Sequence, residues 1–215
     1  HIVEGLLPIE WCLIWFIISM IFIIIGIRQI IGLVHEIPES KKFLAVCGAF
    51  MFVASLLHFP SVTGAYSHPV GNGLSGSVFG PAITSVLAAV ILLLHAFLLG
   101  YGGLTTLGAN IFSIGIVGPF AAYLIFYALK DRISPYGAII FASFFGSVFT
   151  CLTTAVQYAL VYGGFYKFFV IFFITQLPLS ILDAMITTVV FVVMYSMFKD
   201  TGIFSKELKD FLNFK

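Results

Sequence analysis

The residues best suited to chemistry are two histidines, His1 at the head of the chain and His68 within Ser67-His68-Pro69. Imidazole is a ligand for Ni, Cu, Zn and related ions, so two histidines that meet in space form a candidate metal site. If a Met precedes His1, its amine, the deprotonated backbone nitrogen of His1 and one ring nitrogen of His1 close adjoining five- and six-membered chelate rings. Those rings are flat. The imidazole of His68 would complete four nitrogens in a plane, a geometry suited to Ni(II) or Cu(II) and poor for tetrahedral Zn(II).

Other polar residues carry weaker signals. His35 lies beside Glu36 in a polar connection and reads as solvated. His58 reads as an interfacial residue or as a donor supporting the ligands, and His95, inside a Leu-rich run, as a neutral ring bonded to a neighbouring helix. Asp183 is the one carboxylate deep in the last third. It is either a functional group within a span or a cap where a helix restarts after Pro178. Thr105, Thr106, Asn110, Gln157 and Gln176 offer uncharged groups that can hold ligands or join helices. Ser61 or Ser67 with a histidine base would make an intramembrane hydrolase, although no spacing implies that pairing. Cys12, Cys47 and Cys151 are scattered through apolar stretches and read as packing residues. Gly71, Gly73 and Gly76 match a dinucleotide-type glycine spacing by accident, since no strand precedes them and no acidic residue follows at the required distance.

The elements that must position these groups lie in a bilayer. The 215 residues are 61% hydrophobic and 9% charged, with a mean hydropathy of +1.15. No Asp, Glu, Lys or Arg occurs between Lys42 and Lys130 or between Arg132 and Lys167. A soluble fold cannot cover its surface with so few charges, whereas about 20 apolar residues suffice to cross a hydrocarbon core. A net charge of +1 gives no basic footprint for nucleic acid. No secretory leader is expected, because the first basic residue, Arg28, follows the first hydrophobic run.

Breaks at Gly, Pro and polar clusters predict spans near residues 9–34, 42–58, 78–100, 108–130 and 134–162, then 165–177 and 179–198 about Pro178. The fold class is an all-α, polytopic bundle of about seven transmembrane helices in a single domain over 1–215. Lysines and arginines after the first and last spans place the N-terminus outside and the C-terminus, with Lys206, Lys209 and Lys215, in the cytoplasm. Lys130 and Arg132 then fall outside, against the rule. The head of the chain and the connection from Phe59 to Gly76 share the external side. Irregular backbone at membrane depth must be enclosed by protein, so that connection is expected to fold into the bundle.

Several motifs together resemble the cobalt/nickel substrate-binding membrane subunits, of CbiM or NikM type, of energy-coupling factor importers. They are His1-Ile2-Val3-Glu4-Gly5 with Leu7-Pro8, Pro60-Ser61-Val62-Thr63-Gly64 leading to Ser67-His68-Pro69, and the run from Gly102 through Thr105 and Thr106 to Asn110. Gly118-Pro119-Phe120 and Thr175-Gln176-Leu177-Pro178 also resemble the family. The resemblance implies an S component with an extra N-terminal helix whose N-terminal peptide enters the bundle and binds Co(II) or Ni(II) as transported substrate, with no organic cofactor. By position the ligands are His1 and His68, and Ser67, Glu4, His58, Thr105 and Asn110 are the candidates to hold them in place. The family pattern has Met before that first His, often a His where Tyr101 stands, and a Lys where His58 stands.

The resemblance also implies partners: a transmembrane coupling subunit docked on a small-residue face, matched by Ala45 and Ala49 beside Gly48, two ATP-binding subunits and a small accessory membrane subunit. This chain has no Gly-Lys-Ser/Thr phosphate loop, so ATP hydrolysis is expected on other polypeptides and the chain is not expected to be an enzyme. The expected location is the prokaryotic cytoplasmic membrane, as a multi-pass protein. A vitamin-binding S component is the alternative within the same class, and it would need an aromatic-lined cavity of ligand size.

Overall fold

The structure is a computed structural model and describes residues 1–60 and 66–204. Among the described residues seven helices run in chain order: α1 (Ile9–Glu36), α2 (Ser40–Ala54), α3 (Asn72–Phe79), α4 (Pro81–Leu99), α5 (Leu107–Leu129), α6 (Pro135–Tyr162) and α7 (Phe165–Phe198). Among the described residues α1, α4, α5, α6 and α7 are long and apolar enough to cross a membrane. Two short strands, β1 (Phe59–Pro60) and β2 (Tyr66–Ser67), pair antiparallel between α2 and α3.

The burial pattern is that of a protein dissolved in lipid. On α1 the outward residues include Leu13, Ile17, Ile21, Ile24 and Ile31, all about half exposed or more, while Cys12, Trp15, Ser19 and Gly26 are buried. Hydrocarbon outside gives no hydrophobic drive to bring helices together, so close packing of small residues and interhelical hydrogen bonds do that work. Gly108 on α5 lies against the backbone of Phe16 on α1, where a Cβ would collide, and Ser19 Oγ donates to Gly108 O at 2.8 Å. A fully buried apolar cluster, including Phe43, Phe79, Phe126 and Phe191, ties α2, α3, α5 and α7 together at one end of the bundle.

Four features differ from the sequence-based boundaries. Helix α2 ends at Ala54 rather than near residue 58, and tight turns through Ser55, Leu56 and Leu57 lead into β1. The stretch expected to be an irregular loop up to Gly76 is helical from Asn72, and all eight residues of α3 are buried. A helix buried all round has no apolar stripe to read, and packing rather than propensity stabilises it. The expected span 78–100 therefore begins at Pro81, after Gly80 with φ +82°.

The expected break at Pro178 is also absent, because α7 is continuous through it. Proline removes one amide donor, and in a membrane bundle neighbouring groups can compensate. Here Gln176 Nε2 and Ser180 Oγ, on either side of the proline, both donate to Ser147 Oγ of α6, at 3.1 and 2.9 Å. Those ties hold the two halves of α7 in one register. At 34 residues α7 is about 51 Å long at 1.5 Å per residue, more than a hydrocarbon core of about 30 Å, so it tilts or emerges from it.

Candidate metal centre

The segment from Tyr66 to Gly71 is fixed from behind. Asp183 of α7 accepts from Val70 N (3.1 Å) and from Gly71 N (3.1 and 3.3 Å to its two oxygens), and Thr187 Oγ1 donates to it at 3.3 Å. Asp183 therefore caps neither half of an interrupted helix; it anchors the turn that presents His68. Gly71 sits at φ +69° directly before α3, with a built Cβ only 3.1 Å from Met51 Cα, so any side chain there would be strained. Gln176 Nε2 donates to His68 O at 3.3 Å, and the His68 ring meets Pro69 O through Nδ1 at 2.9 Å. The bond to Nδ1 leaves Nε2 as the nitrogen with a lone pair to offer.

The first six residues run back into the bundle along the start of α5. The His1 nitrogen donates to Tyr66 O (2.9 Å) and Tyr66 N donates to His1 O (3.3 Å), so His1 pairs with β2 as an extra strand residue would. Ile2, fully buried, is held at both backbone groups: its N–H donates to Asn110 Oδ1 (2.8 Å), and its carbonyl accepts from Asn110 Nδ2 (3.0 Å) and Thr106 Oγ1 (2.8 Å). The Glu4 carboxylate accepts from Leu104 N (2.7 Å), Thr105 N (3.3 Å) and the Thr105 hydroxyl, and Tyr162 OH donates to Leu6 O. These bonds hold the Glu4 carboxyl below its ordinary pKa, the Thr105 hydroxyl first among the causes.

The two anchored segments meet at His1 and His68. The His1 nitrogen lies 3.5 Å from His68 Nε2, and the two rings stack with centroids 4.3 Å apart. His58 completes a cluster in which one ligating atom each from His1, His58 and His68 lies within 4.8 Å of the others. His1 Nδ1 is 3.2 Å from His58 Nε2. Nitrogens bound about 2.1 Å from a common ion stand about 3.0 Å apart when adjacent and about 4.2 Å apart when opposite, so these separations need only small ring rotations to converge. Desolvation pushes His58 down to about 4 and His68 well below its ordinary value, so both rings are neutral and able to coordinate near pH 7. His1 and His68 border a small pocket whose lining also includes Asn110, Ser113, Thr150 and Cys151.

Of the residues singled out in the sequence, His1 and His68 are brought together and buried. Asn110 and Thr105 hold the N-terminal peptide rather than a histidine ring, Asn110 through Ile2 and Thr105 through Glu4. Ser67 is buried with its hydroxyl 3.3 Å from Thr175 Oγ1, so its partner is another hydroxyl and not a histidine base. Ser61, the other serine considered for hydrolysis, lies outside the described residues, as do Val62, Thr63 and Gly64.

Of the two sequence readings of His58, interfacial residue or donor supporting the ligands, its placement favours the second. Its ring lies 3.9 Å from that of Tyr101 and 4.9 Å from that of His68, inside the cluster. His95 is fully buried beside it, with Nε2 3.3 Å from Phe52 O and its ring edge-on to His1 at 5.5 Å. The sequence signal that could have found His58 is hairpin register, because pairing Phe59 with Ser67 places 58 opposite 68. Ala45 and Ala49 both face outward from α2, where another helix could approach.

Comparison with known proteins agrees with this architecture. The family model described as CbiM, cobalt uptake substrate-specific transmembrane region, matches residues 1–201. A putative cobalt transport protein of Methanococcus voltae is 51% identical over 145 residues, covering 67% of this chain and 65% of that protein. A cobalt transport protein of Streptococcus sanguinis is 50% identical over 131 residues, covering 61% and 54%. The matched region thus spans less than two thirds of the length of those relatives. Among solved structures, a transition metal transporter superposes with a TM-score of 0.83 at 22% identity, covering 93% of this chain and 94% of its own. A truncated transition metal transporter gives 0.78 at 23% identity, covering 92% and 98%. At those identities the likeness speaks for the fold.

Proposed function

This chain belongs to the CbiM family of cobalt-uptake substrate-specific transmembrane proteins, and on that premise we propose that it is the metal-capturing membrane subunit of an ATP-driven importer. Its substrate is Co(II) or Ni(II), held by nitrogens of His1 and by His68 Nε2. The observation that carries the reading is the 3.5 Å approach of the His1 nitrogen to His68 Nε2 between two separately anchored segments. Imidazole and backbone nitrogen favour late first-row ions over Mg or Ca, and a neutral, buried pocket binds the ion without a competing proton on the rings.

The remainder of the importer is supplied by other chains. A transmembrane coupling subunit docks on the outward small-residue face that includes Ala45 and Ala49, two ATP-binding subunits drive it, and a small accessory membrane subunit joins them. The chain lies in the prokaryotic cytoplasmic membrane with its N-terminus outside and its C-terminus inside, so that the ion enters from the external face. Energy comes from ATP hydrolysed on the partner subunits, which leaves this subunit a carrier rather than an enzyme.

Substitution of His68 by Ala is the direct test. The variant should remain folded and lose retention of Ni(II) and Co(II) by equilibrium dialysis. Undiminished binding removes the proposal.

A further inference from the structure

The histidine cluster contains one more nitrogen than His1 and His68 require. We propose that His58 is itself a metal ligand, coordinating through Nε2, and that this third imidazole biases the site toward Co(II) over Ni(II). The inference rests on the reading of His1 and His68 as the site.

The fold puts His58 there by construction. The turn after α2 closes with His58 N donating to Leu56 O at 2.9 Å, and the chain then enters β1. The register Phe59 with Ser67 and Pro60 with Tyr66, continued one pair back, sets residue 58 across from residue 68. Directly opposed side chains on an antiparallel pair lie on the same face, within contact. His1 pairs with Tyr66 on the same ribbon, so one short sheet gathers three imidazoles. His58 Nε2 approaches His1 Nδ1 to 3.2 Å, the spacing of neighbouring ligands around one ion. Its other nitrogen, Nδ1, is buried without a hydrogen-bond partner, as is His1 Nε2.

The chemical consequence lies in coordination number. Four nitrogens in a plane are the geometry of Ni(II) and Cu(II). Where a preceding residue adds its amine to the His1 backbone and ring nitrogens, these and His68 fill the plane, and His58 then adds a fifth nitrogen and removes the advantage that a planar set gives Ni(II). Co(II), which accepts higher coordination readily, is not penalised. Tyr101, packed on the His58 ring at 3.9 Å between centroids, limits how far that ring can swing away.

The test uses purified full-length protein with its native N-terminus, loaded with Co(II) alone and then with Ni(II) alone. X-ray absorption on the Co(II) form should count three imidazoles, falling to two in His58→Gln. Competition dialysis should show the variant shifted toward Ni(II) by roughly tenfold, as for loss of a ligand-tuning group. Two imidazoles in the wild-type protein, or an unchanged count in the variant, overturns the proposal. If His58→Gln does not fold, the wild-type count alone decides. Retention of Co(II) by His68→Gln would instead sink the parent reading, whatever the number of imidazoles.

Discussion

Asn110 shows how much of the site depends on one side chain. Its amide satisfies both backbone groups of Ile2, and Ile2 carries His1 with it. Asn110→Ala should leave a buried N–H unpaired, at a cost of about 1–3 kcal/mol. It should also weaken Co(II) retention by roughly 10- to 100-fold by freeing the peptide that holds His1, as found for groups that orient ligands. Thermal unfolding and dialysis on the same variant measure both. Protonation acts at this scale as well. His58 has its pKa pushed down to about 4 by desolvation, below the ordinary value of about 6.5. Between those values the unfolded chain binds the proton and the folded one resists it, so the contribution of His58 to the stability of the ion-free protein should be full above about pH 6.5 and decline toward pH 4. His58→Gln should flatten part of that decline in melting temperature. A slope unchanged by the substitution would show that His58 is not the group responsible.

Helices and strands set how well each residue could be read in advance. Long apolar runs gave α1, α4, α5 and α6 their positions because a bilayer-spanning helix needs such a run and little else. His58 could be read only as an interfacial residue or a donor supporting the ligands, because its partners are 57 residues before it and 10 after it, and a two-residue strand carries no periodicity of its own. Pro178 was overread for the opposite reason: the local rule sees a missing amide and cannot see Ser147 of α6 bridging it. In the sequence Asp183 reads as either a functional group or a cap because its partners, Val70 and Gly71, are over 100 residues away. That assignment has its own test. Asp183→Ala should strand two buried N–H groups, speed hydrogen exchange at Val70 and Gly71, and weaken ion retention while α7 keeps its helicity. Exchange at those two amides as slow as in the wild type would show that Asp183 is not their anchor.

Across the whole molecule, polar anchoring and lipid exposure are segregated. Outward positions on α1 and α7, such as Ile17, Ile31, Ile174 and Val189, are large and apolar, whereas Ala45 and Ala49 offer a small face on α2. The two kinds of surface should answer differently to substitution. Enlarging the small face with Ala45→Trp or Ala49→Trp should abolish co-purification with the proposed coupling subunit and leave Co(II) binding by the isolated chain within about twofold, since surface substitutions away from a site change little. Loss of binding along with assembly would place that face inside the carrier instead. The motif shared with the importer subunits serves the N-terminal peptide: Gly102 and Gly103 give it room, and Thr105, Thr106 and Asn110 hold it.

The most direct measurement is anomalous diffraction at the cobalt and nickel edges from crystals of the protein with its native N-terminus, grown with each ion. A single peak should appear about 2 Å from the His1 nitrogens and His68 Nε2. A peak bound elsewhere, or an empty cluster at saturating ion with His1 away from His68, would contradict the assignment of this site.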